Sequence, residues 1–369
     1  MVVLSTQKGN KINDLKLHPK LFIDKTTAVY GPSNSGKTVI TKTIMNMLKD
    51  HFDQIVVVSP SEPNNESYKG TVPKLNIHYS IYLPDPKNPK KEDAKGAYRF
   101  FDTIWQRQTL MIAIQKKANN IKVLRQLYNR IDTKHFDRKF KKLKEKKEEI
   151  SRDIRRRFIH SQAQCKDELQ KMDKKITNML TLLYKQAITP YVNKLIKYNL
   201  TEDERYSLNY LEFNPRMLII LDDCAAEFKT LATKEIGKRL FYRGRHAGIS
   251  LIICCQDDTD LPANIRKNVF VSIFTESIVT SSNFERASNK FSKATKAYIT
   301  DILPNVFQGW RKFVYIRDDP NKINFYHLTV SEPEPFRFGS SSLWELNKKL
   351  ENTGVNIDTE NPFFNKFRI

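Results

Sequence analysis

Gly31-Pro32-Ser33-Asn34-Ser35-Gly36-Lys37-Thr38 places two glycines five positions apart and follows them with a lysine and a hydroxyl residue. The run before it, Thr26 to Tyr30 (TTAVY), is β-prone, and the run after it, Val39 to Asp50, is an amphipathic helix. Strand, glycine-bounded loop, Lys-Thr and helix in that order separate a phosphate-binding loop from an ordinary Gly/Ser turn. Such a loop turns backbone N–H groups and a helix N-terminus toward a polyphosphate. Lys37 then reaches the β- and γ-phosphates and Thr38 offers its hydroxyl to Mg²⁺, so ATP with Mg²⁺ is the expected ligand. The same order commits the chain to an α/β fold with a central, mostly parallel sheet flanked by helices.

Further runs extend that sheet. Gln54 to Val58 is rich in β-branched residues and stops at Ser59-Pro60, while Met217 to Leu221 is apolar and ends in Asp222-Asp223. Parallel strands present their C-terminal ends to the ligand, which sets these acids opposite the loop. Asp222 is assigned to the metal through a water and Asp223 to polarising the attacking water, with Glu227 as the fallback base. Ser250 to Cys255 (SLIICC) is another buried strand, and Gln256 stands at its end. A neutral amide there can bond a γ-phosphate oxygen and the lytic water without adding negative charge. Ahead of that strand, a helix expected over 229–242 leads into Arg243-Gly-Arg-His-Ala-Gly-Ile249. Arg245, and after it Arg243, are candidates for an arginine finger acting across a subunit boundary.

From Ala97 to Thr189 the chain runs 93 residues without glycine or proline, which points to helices. Apolar residues recur at helical steps, as in Ile121, Leu124, Tyr128 and Ile131, then Ile150, Ile154 and Phe158, then Leu169, Met172, Ile176, Met179 and Leu183. One unbroken helix would be ~140 Å long, so two or three helices folded into a hairpin are expected. Between Lys116 and Lys175 there are 21 Lys and Arg against 9 Asp and Glu. The whole chain carries a formal charge of +22, and such an excess implies a polyanionic partner, nucleic acid before an anionic membrane surface. The insertion is therefore expected to touch phosphate backbone.

The expected organisation is an ATPase core in two parts, 1–96 and 206–330, a basic helical insertion over 97–205, and a tail over 331–369. Residues 1–23 form an entry segment, Asp260 to Asn268 a short helix, Val269 to Phe274 a strand, and Ser281 to Ile302 one helix with a Ser cap. Lys312 to Ile316 and Asn324 to Thr329 form a hairpin, and the Pro-, Ser- and Asn-rich tail is loosely attached or docks on a neighbour. Cys165, Cys224, Cys254 and Cys255 show no metal-ligand spacing and are expected as reduced thiols in a cytoplasm-like compartment, without structural zinc. No apolar run approaches the ~20 residues of a membrane span.

Taken together, GPSNSGKT, LDDCA and GRHAGISLIICCQD resemble the FtsK/HerA superfamily of ring-forming DNA-pumping ATPases. The closer likeness is to the genome-packaging ATPases of large nucleocytoplasmic DNA viruses, the group named after the poxvirus packaging ATPase. It covers about residues 24–60 and 210–330. The resemblance implies that the Gln256 strand lies between the loop strand and the Asp222 strand. It also implies a homo-oligomeric ring, a pentamer or hexamer, with nucleotide at subunit interfaces and double-stranded DNA as the substrate moved into a preformed capsid. Capsid or inner-membrane virion proteins are implied partners, and the viral factory of the host cytoplasm and the virion are implied locations. By the same resemblance Lys37 and Thr38 match the Walker A pair, Asp222 the Mg²⁺ acid, Gln256 the sensor and Arg245 the finger. Asp223 departs from cellular members, which carry Glu there.

Two other readings compete. A helicase or recombination ATPase shares the chemistry but would prefer single-stranded DNA, and a nucleic-acid-binding scaffold would use nucleotide only as a conformational ligand. A GTP switch is disfavoured because Asn321-Lys322-Ile323-Asn324 lacks the Asp of a base-recognition motif.

Overall fold

The computed structural model describes residues 3–81, 84–85, 88–92, 96–131, 135–224, 231, 234–319 and 323–354. Its strands are β1 (Val3–Ser5), β2 (Lys11–Asp14), β3 (Thr26–Tyr30), β4 (Gln54–Val58), β5 (Ile77–His78), β6 (Pro84–Asp85), β7 (Asn88–Glu92), β8 (Met217–Asp222), β9 (Ile249–Cys255), β10 (Val271–Phe274), β11 (Arg311–Ile316) and β12 (Phe325–Thr329). Ten of them form one sheet in the order β1-β2-β12-β11-β10-β3-β9-β8-β4-β5, and β6 pairs with β7 apart from it. From β10 through β5 every neighbouring pair is parallel. The fold is thus mixed α/β around a mostly parallel sheet, and β9 lies between β3 and β8 as the resemblance implied.

Period-two alternation explains why the central runs are apolar throughout. Val56, Val58, Ile219, Leu221 and Ile253 enter one core, and Ile55, Val57, Leu218, Ile220 and Ile252 enter the other. Both faces are covered, so apolar side chains are favoured at nearly every position of these strands. The helix Lys37–Leu48 follows the glycine loop and buries Ile40, Ile44, Met45 and Leu48 on the second face. Phe100, Phe101 and Ile104 of the helix Gly96–Ala118 cover the first.

Two expectations for the C-terminal part of the chain needed correction. Residues 281–302 are not one helix but parts of two, Ser277–Glu285 and Lys293–Val306. Arg286 leaves the helix with extended backbone, at φ −60° and ψ 122°. Its guanidinium makes two bonds, of 2.9 and 2.8 Å, to the fully buried carboxylate of Asp258. The second helix takes a cap of its own, the Ser292 hydroxyl accepting from Thr295 N–H. The tail is not loose over 331–354 either. Phe338 is fully buried and its N–H donates to the Thr71 carbonyl, and Asn347 in the helix Ser341–Asn352 accepts from Leu75 N–H. The rest of the tail expected over 331–369 lies outside the described residues.

The chain divides into two units, one built from residues up to 109 and from 215 onward, the other Leu110–Asn214. In the second unit, Asp137–Arg157 and Gln162–Ile188 form a helical hairpin closed over Leu143, Met172 and Ile176. A separate cluster joins Leu124, Leu127 and Tyr128 of the helix Ile121–Asn129 to Ile188, Leu195 and Leu208. Thr201 and Glu204 make a capping box at the helix Glu202–Asn209, and Arg130 holds the Glu204 carboxylate through bonds of 2.8 and 3.0 Å. The insertion thus holds more helices than the hairpin the sequence suggests.

Candidate active site

Strand register brings the candidate residues to one edge. Tyr30 pairs with both Cys255 and Phe274, Asp222 pairs with Cys254, and Val58 pairs with Leu221. The loop after Tyr30, Gln256 after β9, Asp223 after β8, Ser59 after β4 and Thr275 after β10 therefore all start at the C-terminal edge of the parallel strands. That edge is where open α/β sheets bind ligands.

The glycine loop is tightly held. A Cβ on Gly31 would stand 1.7 Å from Thr275 Oγ1, so only glycine fits there. Gly36 has φ +89°, a conformation that favours glycine, and caps the helix Lys37–Leu48. Thr275 Oγ1 lies 2.6 Å from Ser35 Oγ, and Lys312 Nζ donates to the Ser35 carbonyl at 2.7 Å. Pro32, Ser33 and Asn34 are exposed along the loop, and Asn34 has φ 61°. Thr38 is half-buried in the first turn of the helix. Lys37 is 7 % exposed, and its ammonium donates to the Gly31 and Pro32 carbonyls at 2.7 and 2.8 Å. Both partners are neutral, so a phosphate competes for this cation against dipoles rather than against a carboxylate.

Asp222, the last residue of β8, is 5 % exposed. Burial pushes its carboxyl above the usual range, a hydrogen bond from Tyr68 draws it back, the neighbouring Asp223 raises it further and Lys37 opposes that. The Tyr68 hydroxyl is itself fully buried and donates to Asp222 Oδ2 at 2.8 Å. Glu62 fixes the segment that carries Tyr68, its Oε1 accepting from Tyr68 N–H at 2.7 Å and from Lys69 N–H at 3.1 Å. Asp223 turns out of the strand with φ 55° and accepts from Ser61 Oγ at 3.4 Å. Gln256 is exposed at the end of β9, and Asp260 Oδ2 accepts its backbone N–H and that of Asp257, both at 3.0 Å.

Lys37, Thr38, Asp222, Asp223 and Gln256 therefore share one edge. Arg243 and Arg245 do not. They precede β9, at its opposite end, and a seven-residue strand spans roughly 20 Å. Both are exposed, and Arg245 Nε lies 3.4 Å from its neighbour His246. Neither reaches the loop of its own chain. Glu227 lies outside the described residues. Sequence reasoning missed Tyr68, Glu62, Thr275 and Lys312. Only Lys312 left a sign, as a lysine within the apolar strand run RKFVYI. The structure buries it to 3 % exposure, and burial lowers its pKa.

These residues fit a Mg²⁺-nucleotide. The loop offers an ammonium bonded only to carbonyls among the described residues, a hydroxyl in the first turn of a helix, and N–H groups at the helix start. Facing them is a buried carboxylate whose hydrogen-bond partners, Tyr68 and Cys254, are neutral. Such a group is stabilised by a nearby cation.

Protein B354L of African swine fever virus (isolate Tick/Malawi/Lil 20-1/1983) is 48 % identical over 371 residues, covering 100 % of this chain and 99 % of that one. Protein 075L of Invertebrate iridescent virus 6 is 31 % identical over 118 residues, 30 % of this chain and 45 % of its own. Among solved structures, the genome packaging NTPase B204 from Sulfolobus turreted icosahedral virus 2, in complex with ATP-gammaS, is 13 % identical with a TM-score of 0.38, covering 84 % of this chain and 98 % of that one. VirB4 of Thermoanaerobacter pseudethanolicus is 10 % identical with a TM-score of 0.37, covering 90 % and 96 %. At such TM-scores the structural likeness decides nothing about this chain. No family model matches it.

Proposed function

The chain belongs to the same family as protein B354L of African swine fever virus, and from the geometry of its sheet edge we propose that it is a Mg²⁺-dependent ATPase that moves viral double-stranded DNA into preformed capsids. One observation carries the hydrolytic part: strand register sets Lys37, Asp222, Asp223 and Gln256 at a single edge. In this proposal Gly31 to Thr38 cradle the phosphates, Lys37 holds the β- and γ-phosphates, and Thr38 and Asp222 hold Mg²⁺, Asp222 through water. When bound, Mg²⁺ neutralises charge on the phosphates. Asp223 orients the attacking water and Gln256 bonds it and the γ-phosphate.

Arg245, with Arg243 beside it, stands at the far end of β9 and so serves a neighbouring subunit in a homo-oligomeric ring, pentameric or hexameric. The charge of +22 and the basic helical unit support a duplex DNA partner. Packaging rather than another DNA task rests on the motif resemblance and on viral relatives, and it places the protein in the viral factory of the host cytoplasm and at the virion, near capsid or inner-membrane virion proteins. No helix of the described residues is long and apolar enough to cross a membrane. Hydrolysis should be lost in Lys37→Ala and in Asp222→Ala, and full turnover in either variant removes the assigned site. Mixing Lys37→Ala with Arg245→Ala subunits should restore part of the activity, and no recovery in verified mixed assemblies removes the trans role.

A further inference from the structure

Two of the most exposed large apolar side chains among the described residues, Trp310 at 70 % and Ile278 at 71 %, lie at the sheet edge from which the phosphate loop rises. β10 and β11 are antiparallel with Phe274 opposite Phe313. Ile278 follows β10 and Trp310 precedes β11, so both lie at the edge where the loop begins. Trp310 is also linked to the loop by two short steps. Its ring centroid is 5.9 Å from Lys312 Nζ, and that ammonium donates to the Ser35 carbonyl at 2.7 Å. Lys312 is buried, and a Cβ on Gly36 would meet its Nζ at 3.2 Å, so the ammonium lies directly against the loop backbone.

Exposed large apolar side chains carry meaning where they gather, and these two share the sheet edge from which the phosphate loop rises. The flat face of Trp310, one buried lysine away from the phosphate loop, suits a planar heteroaromatic group carried on the same molecule as the phosphates. We propose that Trp310 is the stacking platform for the base of the nucleotide whose phosphates Gly31 to Thr38 hold, with Ile278 as an apolar wall of the same seat. This rests on the nucleotide reading of the loop. Stacking engages the π-face that all bases share, so base identity is read weakly here. Lys312 is the positioning residue that couples the platform to the loop.

The test compares binding of ATP and of inorganic tripolyphosphate to the full chain, with Trp310→Ala and Trp310→Phe as variants. At 70 % exposure, truncation of Trp310 should leave the fold intact, with an unchanged melting temperature as the check. Trp310→Ala should weaken ATP binding by roughly 5- to 100-fold and leave tripolyphosphate binding unchanged, while Trp310→Phe recovers most of the loss. ATP should also quench tryptophan fluorescence in a Trp105→Phe/Trp344→Phe background, where Trp310 is the remaining tryptophan. If the wild type binds ATP and Trp310→Ala binds it equally well, the stacking role is overturned while the loop assignment stands. An equal loss for ATP and tripolyphosphate also overturns it, because the residue then acts on the loop and not on the base. If the wild type binds neither ligand, the nucleotide site itself fails and the platform with it.

Discussion

The Tyr68 hydroxyl donates a 2.8 Å hydrogen bond to Asp222 Oδ2, and both side chains are shut away from solvent. Burial holds the phenol well above its ordinary pKa, so it stays a donor, and the bond lowers the carboxyl against the burial that raises it. Tyr68→Phe removes this support from a buried carboxylate, at a cost of about 1–3 kcal/mol. Hydrolysis at neutral pH should fall by about 10-fold or more, with the acid limb of the pH profile shifted to higher pH. An unchanged profile means that the bond does not govern Asp222.

Asp222 also carries a stability consequence. Its folded pKa is raised, so its contribution is fully present below the unfolded carboxylate pKa and is lost as pH rises through the folded value. Asp222→Asn keeps an acceptor for Tyr68 and removes the charge. The ligand-free variant should melt above the wild type at neutral pH yet fail to hydrolyse ATP. A lower melting temperature contradicts the burial argument.

His78 gives a pH prediction of the other sign. Burial lowers its pKa to about 3, and it packs edge-on against Phe100 at 5.1 Å. The unfolded chain binds this proton near pH 6.5 and the folded chain does not, so stability falls as pH drops from about 6.5 toward 3, at a limiting slope of about 1.4 kcal/mol per pH unit. Denaturant titrations of His78→Phe should show that part of the slope removed.

The parallel strands, the phosphate loop and the acids at the end of β8 were legible because each is a local pattern: unbroken β-branched runs, a fixed glycine spacing, a charge at a strand end. Tyr68, Glu62, Thr275 and Lys312 were not, since each joins the site only through register or loop closure. The split at Arg286 was equally hidden, because an ion pair 28 residues away in sequence overrides a continuous helical pattern. Phe338 inside a polar tail shows the same thing: one buried ring docks a segment whose composition suggests detachment.

That ion pair can be weighed directly. Asp258 has no solvent access and keeps Arg266 at 3.7 Å and the Asn283 amide as partners, so Arg286→Ala removes the bidentate share of its compensation and should cost about 1–3 kcal/mol in urea unfolding. Arg286→Lys should recover part of it, since one ammonium cannot reproduce the fork. Equal stability of the wild type and Arg286→Ala removes the pair as the cause of the helix break.

On the helix Asp137–Arg157, Arg138, Lys141 and Arg156 are exposed and lie on the side opposite the Leu143, Ile150 and Ile154 stripe. Replacing all three by Ala should reduce the slope of log affinity for duplex DNA against log salt by roughly 0.9 per lost phosphate contact, so by up to about 3. The basal ATPase rate should hold. An unchanged slope assigns this face to another partner.

The most direct measurement is the ATP hydrolysis rate of the assembled protein with duplex DNA, with single-stranded DNA and with none. Duplex DNA should stimulate turnover several-fold beyond the single strand, and the stimulated rate should vanish in Lys37→Ala. Firm ATP binding with the same negligible turnover in all three conditions would contradict a DNA motor.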